Sequence, residues 1–387
     1  MTPRERMIAT LSYKKPDQIP IQFTLRDELM GKMKAHYGVE SGREVEEILG
    51  ADMYRGVGVR TLWPEWEKRV NGELSGPFGH IGRTVLHDER TFENPWGVVE
   101  QIGSTGQYLQ WMGGPFVDTD DLDSFDWPGE DRIVMADDTA EKVQALKDQG
   151  YWVTGSSGTH PFKQSWRMRG FESFLCDYVA NPGWIEAIYD RIATYNIAIC
   201  RKMAEAGVDM LEYWGDVAMQ SRMIVPPDQW RRLDKVAWKR IIDATREVKE
   251  DIVFFFHSDG DVTPIIEDII EVGFNILNPL QPECVNPGLI KREWGDQATL
   301  DGGGSVQRTL PRGTLDDVRR EVDFLMKCCA WNGGYVLRPS NVVGFDCPVE
   351  NVVTYLEMAR DYDMSTLTGP PVEIPDPPPC MSIRTHS

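Results

Sequence analysis

Ile252-Val253-Phe254-Phe255-Phe256-His257-Ser258-Asp259-Gly260-Asp261 is the stretch that decides the fold. Val253 to Phe256 are apolar with no period-2 alternation, as in a strand buried on both faces. Thr263-Pro264 then opens an amphipathic helix carrying Ile265, Ile266, Ile269 and Ile270. A strand of this kind feeding a helix is one unit of a parallel sheet. His257 and Asp259 therefore stand where the strand ends and a loop begins. In barrels of parallel strands that rim collects functional groups, because its loops vary without disturbing the packed interior. The plainer alternative is that His257 caps the strand while Asp259 and Asp261 satisfy turn or helix N-terminal amides.

The pattern repeats on both sides of this stretch. Trp152-Val153-Thr154 leads to Gly155-Ser156-Ser157-Gly158-Thr159-His160, and Val208 to Leu211 leads to Glu212-Tyr213-Trp214-Gly215-Asp216. Phe274 to Leu277 leads to Asn278-Pro279-Leu280-Gln281-Pro282-Glu283, Ala298-Thr299-Leu300 to Asp301-Gly302-Gly303-Gly304, and Gly334 to Leu337 to Arg338-Pro339-Ser340-Asn341. With Ile21-Gln22-Phe23, whose end carries Arg26, and a further strand near Asp52, the strands close into a barrel, because an open sheet of this kind leaves two bare edges. Residues 82–112 alternate polar and apolar positions around Asn94-Pro95-Trp96-Gly97, which reads as an antiparallel hairpin. The fold predicted is thus α/β, a (β/α)8 TIM barrel over 1–366 with an inserted β-hairpin at about 82–112 in its N-terminal part. Residues 367–387 form a proline-rich tail, extended against the barrel and disordered at its last few residues.

The chain has 387 residues, a formal charge of -20 and seven cysteines. That charge disfavours nucleic acid and anionic membrane surfaces as partners and leaves a small molecule or a protein. The cysteines are scattered with no C-x-x-C pair, no apolar run approaches the ~20 residues that span a bilayer, and the start lacks a signal-peptide core, so a cytoplasmic protein is expected.

On this fold Glu212, Asp216, His257, Asp259, Glu283, Asp301 and Arg338 project toward one mouth, with Tyr213 and Trp214 among them. Histidine with carboxylates suits a borderline or hard cation such as zinc, and His257-x-Asp259 offers two ligands from one strand end, with Glu283 or Glu212 as a third. Gly302-Gly303-Gly304 lacks G-x-G-x-x-G and G-K-[ST], so close backbone packing is preferred to a phosphate cradle. G-x-S-x-G does not occur, so no nucleophile elbow is present.

Several stretches taken in order resemble the uroporphyrinogen decarboxylase superfamily, and more closely its methyltransferase branch. They are R-E-R-M-I-A-T-L (4–11) followed by K-P-D-Q-I-P, N-P-W-G-V (94–98), R-G-F-E-S-F-L-C-D (169–177), F-F-H-S-D-G-D (255–261), N-I-L-N-P-L-Q-P (275–282), D-G-G-G-S-V-Q (301–307), L-P-R-G-T (310–314) and P-V-E-N-V (348–352). The resemblance implies a barrel with its active site at the mouth, used by porphyrinogen decarboxylases and by enzymes that pass methyl groups to or from a corrinoid protein. Two departures matter. The decarboxylases carry R-Q-A-G-R after their first strand, where this chain has Q-F-T-L-R-D-E-L with Arg26 alone. The thiol-methylating branch has His-x-Cys and a distant Cys as zinc ligands, where this chain has His257-Ser258-Asp259 and, distantly, Ser340-Asn341. What remains similar is the group of methyl-donor-specific enzymes that includes anaerobic O-demethylases.

The resemblance therefore implies a methyltransferase that moves a methyl group from a small O-methyl substrate to cobalamin on a separate corrinoid protein. His257, Asp259 and Glu212 are the expected catalytic residues. Arg26, Tyr213, Trp214, Asp216, Asn278, Asp301, Arg338 and Asn341 are the expected substrate contacts, and His257, Asp259 and Glu283 the expected ligands of a zinc ion. Either the metal, or a proton given by His257 with its pKa raised by a neighbouring carboxylate, would neutralise the departing oxygen. The corrinoid protein is expected over the loops after Trp214, His257 and Asp301, and a homodimer is left open. A decarboxylase-type lyase on a small acid and a non-catalytic ligand-binding barrel are the competing readings.

Overall fold

The computed structural model describes residues 1–76, 79–104, 106 and 108–381. In chain order, helix α1 (Pro3–Leu11) and α2 (Asp27–Tyr37) precede strand β1 (Arg55–Val57). Five strands follow: β2 (Gly72–Gly76), β3 (Gly79–Leu86), β4 (Thr91–Glu93), β5 (Val99–Ile102) and β6 (Leu109–Gly113). The remainder alternates: β7 (Val153–Gly155), α3 (Pro161–Arg169), α4 (Pro182–Glu205), β8 (Met210–Trp214), α5 (Pro227–Arg246), β9 (Val253–His257), α6 (Ile266–Val272), β10 (Ile276–Leu280), α7 (Pro287–Trp294), β11 (Thr299–Gly304), α8 (Leu315–Cys329), β12 (Tyr335–Pro339) and α9 (Val349–Arg360).

β1, β7, β8, β9, β10, β11 and β12 form one curled, all-parallel sheet of seven strands in that order. Between its two edges runs the segment expected to be the first strand. Ile21 bridges to Leu337 of β12, and Ile21 O accepts from Asp52 N at 2.9 Å on the other side. This segment is too irregular to be a strand, and Pro20 beside it has no N–H to give a ladder. The architecture is a TIM-barrel-like α/β fold.

Alternation along each strand divides the core in two. Leu211, Tyr213, Phe254, Phe256, Leu277 and Leu300 face the helices. Met210, Val253, Phe255, Ile276 and Val336 face the lumen, together with Trp152 and with Met7 of α1. β9 is buried at all five positions, which is why its sequence shows no alternation. α1 closes the end opposite the strand tips, and Arg4 and Arg6 pin it by ion pairs of 2.8 Å to Asp209 and 2.7 Å to Asp52. Among the described residues no helix is long and apolar enough to cross a membrane.

The expected hairpin is replaced by a five-stranded antiparallel sheet, β2 to β6 in sequence order. Asn94 to Val98 does connect two paired strands, but they are β4 and β5, and β3 pairs with β4 instead. Trp111 of β6 donates its indole N–H to Arg167 O at 2.7 Å, so the sheet is anchored on α3. The proline-rich tail lies on the barrel: Asn286 Nδ2 donates to Pro375 O at 3.2 Å, Thr309 Oγ1 to Cys380 O at 3.0 Å, and Met381 is fully buried. The last residues, expected to be disordered, lie outside the described residues.

The triple glycine ends β11. Gly302 has φ +121, and a Cβ there would lie 2.7 Å from Leu280 N. At Gly303, φ +100, it would meet Leu325 Cδ2 at 2.7 Å. Gly302→Ala therefore combines a left-handed strain with a backbone clash, and we expect it to lower stability by about 1–3 kcal/mol, read as a lower urea midpoint at unchanged slope.

Candidate active site at the barrel mouth

β9 aims Val253, Phe255 and His257 into the lumen, so the imidazole is the last inward group before the chain leaves the sheet. His257 Nδ1 lies 2.6 Å from Asn278 Oδ1, and Asn278 Nδ2 donates to Asp301 Oδ1 at 2.8 Å. Because the amide nitrogen of Asn278 serves the carboxylate, its oxygen is the acceptor, and Nδ1 of His257 carries the proton. The Nε2 lone pair is thereby turned to Asp216 Oδ1 at 3.6 Å and Asp259 Oδ1 at 3.8 Å. Asp259 N donates to Asp216 Oδ1 at 2.9 Å, and Asn341 Nδ2 to Asp259 Oδ2 at 2.7 Å, so both carboxylates are held from the loops. Asp259 Oδ1 is buried without a hydrogen-bond partner. One ligand atom from each of Asp216, His257 and Asp259 lies within 4.8 Å of the others. Two carboxylate oxygens and an imidazole lone pair, with the other ring nitrogen braced by an amide, fit a zinc-type cation.

Burial sets the electrostatics. It holds His257 below the usual histidine range, outweighing the nearby Asp216 and the hydrogen bond to Asn278, so the ring is neutral at pH 7. The rise expected beside a carboxylate is thus outweighed by burial, and the neutral ring offers its Nε2 lone pair to the cluster. Burial, reinforced by Asp216, lifts Asp259 to about 7. Lys163 on the first turn of α3 is lowered by burial and faces Asp216 and, more weakly, Asp259.

Below this cluster the lumen holds a buried charged layer. Arg338 Nε lies 2.8 Å from Asp301 Oδ1, although the N–H is not aimed along that line. Arg338 spans the rings of Tyr54 and Phe255, each 5.7 Å from its guanidinium carbon. Glu212 on β8 is lifted by burial to about 7, against the pull of Arg338.

Of the residues named from sequence, His257, Asp259, Asp216, Asn278 and Asn341 meet at one point. Trp214 joins them, its ring centroid 4.5 Å from that of His257. Asp301 and Arg338 stand beneath. Tyr213 does not belong: it is buried on the outer face of β8, against Trp238 of α5 at 4.7 Å and bonded to Cys200 Sγ at 3.1 Å. Glu283 is not the third member of the cluster either. Its carboxylate accepts from Ser305 Oγ at 2.5 Å, and Asp216 takes the place expected for it. Glu212 lines the lumen beside Trp214 instead of converging on His257 Nε2. Arg26 caps α2, its N–H on Val343 O at 3.1 Å. Sequence reasoning missed Lys163 and the buried His160 that caps its helix. The signal was His160-Pro161, a cap and an N1 proline directly after a strand end.

A chain with this barrel and this cluster can be compared with known proteins. The family profile described as uroporphyrinogen decarboxylase (URO-D) matches residues 113–362. The chain belongs to the uroporphyrinogen decarboxylase family. The URO-D match takes in every strand of the parallel sheet except β1, and all of the converging residues. Among solved structures, a methyltransferase from Methanosarcina mazei is similar to this URO-D chain at 20% identity and a TM-score of 0.63, over 93% of this chain and 98% of that one. At that identity the likeness is one of fold. An L-ribulose 3-epimerase follows at 13% identity, a TM-score of 0.33, and 60% and 76% coverage, too distant to bear on function. No curated protein sequence matches the chain.

Proposed function

We propose that this member of the family is a methyltransferase that transfers the methyl group of a small O-methyl compound to cob(I)alamin carried by a separate corrinoid protein. The observation that carries the proposal is the convergence of Asp216, His257 and Asp259 around the Nε2 lone pair at the mouth. It is a nitrogen and oxygen donor set with no thiolate, which suits an oxygen leaving group better than a sulfur one. In the transfer the methyl carbon–oxygen bond breaks, its electron pair stays on oxygen, and the methyl goes to the reduced cobalt. The oxygen then takes up a proton and leaves as an alcohol.

An ether resists this step because the departing alkoxide is basic, so charge must be neutralised at the oxygen. Zinc held by Asp216, His257 and Asp259 would supply Lewis-acid polarisation there. The chain's own residues do the rest. Asn278 fixes the tautomer that presents Nε2, the Trp214 ring backs the imidazole, and the Lys163 ammonium balances the two carboxylates. Asp259, lifted to about 7, can return a proton to the leaving oxygen without a metal. Trp214, Met219 and Phe345 are exposed at or after strand ends on this rim, which suits a partner docking over it.

The test is an assay of the purified protein with reduced corrinoid protein and a panel of methyl ethers, methylamines and methyl thioethers. Cobalamin methylation from the ethers is expected. Release of carbon dioxide from a small acid would establish a lyase instead, and binding without turnover a ligand-binding barrel. The same preparation, weighed for metal, is expected to hold about one zinc per chain. Full activity in metal-free protein would leave the proton route through Asp259.

A further inference from the structure

A cavity of about 350 Å³ opens beside the Trp214 ring, lined by Val59, Thr61, Ser156, Tyr195 and Glu212 as well as Trp214 itself. Its walls come from the ends of β1, β7 and β8 and from α4, so it adjoins the His257 cluster and shares Trp214 with it. The lining is unusual for a small-molecule pocket, which is mostly apolar with a few polar groups. Thr61 Oγ1 and Tyr195 OH share one hydrogen bond of 2.9 Å, so one of their two hydroxyl protons is unclaimed. Ser156 Oγ accepts from Val59 N at 3.4 Å, and its own proton has no acceptor among the described residues. The Glu212 carboxylate, although it lies in the barrel, accepts no hydrogen bond from any described residue. Arg338 and Asp301 act on it only through space.

These facts constrain what fills the space. An aromatic hydrocarbon would cover Trp214 but displace water from Ser156, the Thr61–Tyr195 pair and Glu212 without replacing its hydrogen bonds, and each such loss is costly. A carboxylated ligand would set a negative group against Glu212, with Asp301, Asp216 and Asp259 behind it. A neutral body carrying several hydroxyls meets every wall. Neighbouring hydroxyls donate to Glu212 and accept from Ser156 and the Thr61–Tyr195 pair, while a C–H face lies on the negative face of the indole. The Trp214 and His257 ring centroids are 4.5 Å apart, so a methoxy group at the edge of that body reaches the Nε2 cluster.

We propose that the methyl donor is a neutral, hydroxyl-rich methyl ether, of the methyl glycoside or O-methyl polyol class, with its body in this cavity and its methoxy group passing Trp214 to His257. The proposal rests on the methyl-transfer reading for the fate of the methyl group, but not for the binding itself.

The experiment is isothermal titration of the full chain, with no corrinoid protein present, against methyl glucoside, 2-methoxyphenol and 4-methoxybenzoate. Methyl glucoside is expected to bind, and the two aromatic ethers at least about tenfold more weakly. Glu212→Gln and, separately, Ser156→Val are each expected to weaken methyl glucoside by about tenfold or more at unchanged thermal unfolding. Tighter binding of an aromatic ether, absence of methyl glucoside binding, or an affinity that neither variant moves would overturn the proposal. Binding as expected with no cobalamin methylation would sink the transferase reading and leave this one. Methylation from an aromatic ether alone would do the reverse.

Discussion

His257→Ala is expected to lose about 10²–10⁴-fold in kcat/KM for cobalamin methylation while remaining folded. The ring is the junction of the site. Its Nδ1 side is tied through Asn278 to Asp301, and its Nε2 lies 3.6 Å from Asp216 Oδ1 and 3.8 Å from Asp259 Oδ1. Removing it leaves two carboxylates joined through Asp259 N with nothing between them to accept, coordinate or polarise. Any bound zinc should leave with the ring, since two monodentate carboxylates are a poor site for it. The scaffold should tolerate the change, because Phe255 still packs on Trp214 with ring centroids 5.2 Å apart and the β9 ladder is untouched. Initial rates at saturating corrinoid protein, with metal content measured on the same samples, give the answer. Wild-type rates in this variant would dismiss every role assigned here to the cluster.

Arg338→Leu should cost stability on a scale that few single changes reach, about 3–5 kcal/mol, seen as a large drop in urea midpoint. Asp301 is wholly buried, and Arg338 is the one cation in its contact shell among the described residues. Removing the guanidinium strands the wholly buried Asp301 and leaves Glu212, part-buried beside the Trp214 cavity, without its nearest positive charge. Leucine keeps part of the contact with Tyr54 and Phe255, so the loss reads out charge more than packing. The double variant Asp301→Leu with Arg338→Leu should recover much of the loss, because a buried pair replaced as a whole is nearly neutral. A single variant as stable as the parent would mean that Asp301 is protonated in the folded chain.

Hydrophobic periodicity carries part of this fold and hides the rest. The ends of β7 to β12 were readable, since uninterrupted apolar runs followed by turn residues mark buried parallel strands whatever their neighbours. The same property hides which residues of a strand face inward. In Met210 to Trp214 every position looks suitable, so the run alone suggests Tyr213 for the mouth, whereas parity sends it to the helices. Glu283 was a fair candidate by chain position, but only tertiary packing shows that Ser305 claims its carboxylate while Asp216 reaches His257. β4 is three residues long, below what alternation can reveal, and β2 begins ahead of the alternating stretch, so the sequence shows a hairpin where the fold has five strands. Lys163 comes from a helix turn instead of a strand end, and nothing local distinguishes it from a solvated lysine.

The bridge between Ile21 and Leu337 has a consequence for how the chain is made. At a synthesis rate of about 5–20 residues per second, roughly 15–60 s separate the appearance of those two residues at the ribosome. Through that interval the opening segment, with Pro20, Ile21 and Phe23 apolar, has no strand to lie against on one side, and α1 has no complete lumen to close. The nascent molecule is an unfinished arc with a bare edge at each end, which is the form of a sheet most able to pair with another copy of itself. Its yield in a cell should therefore depend less on final stability than on what shields those two edges until β12 is released.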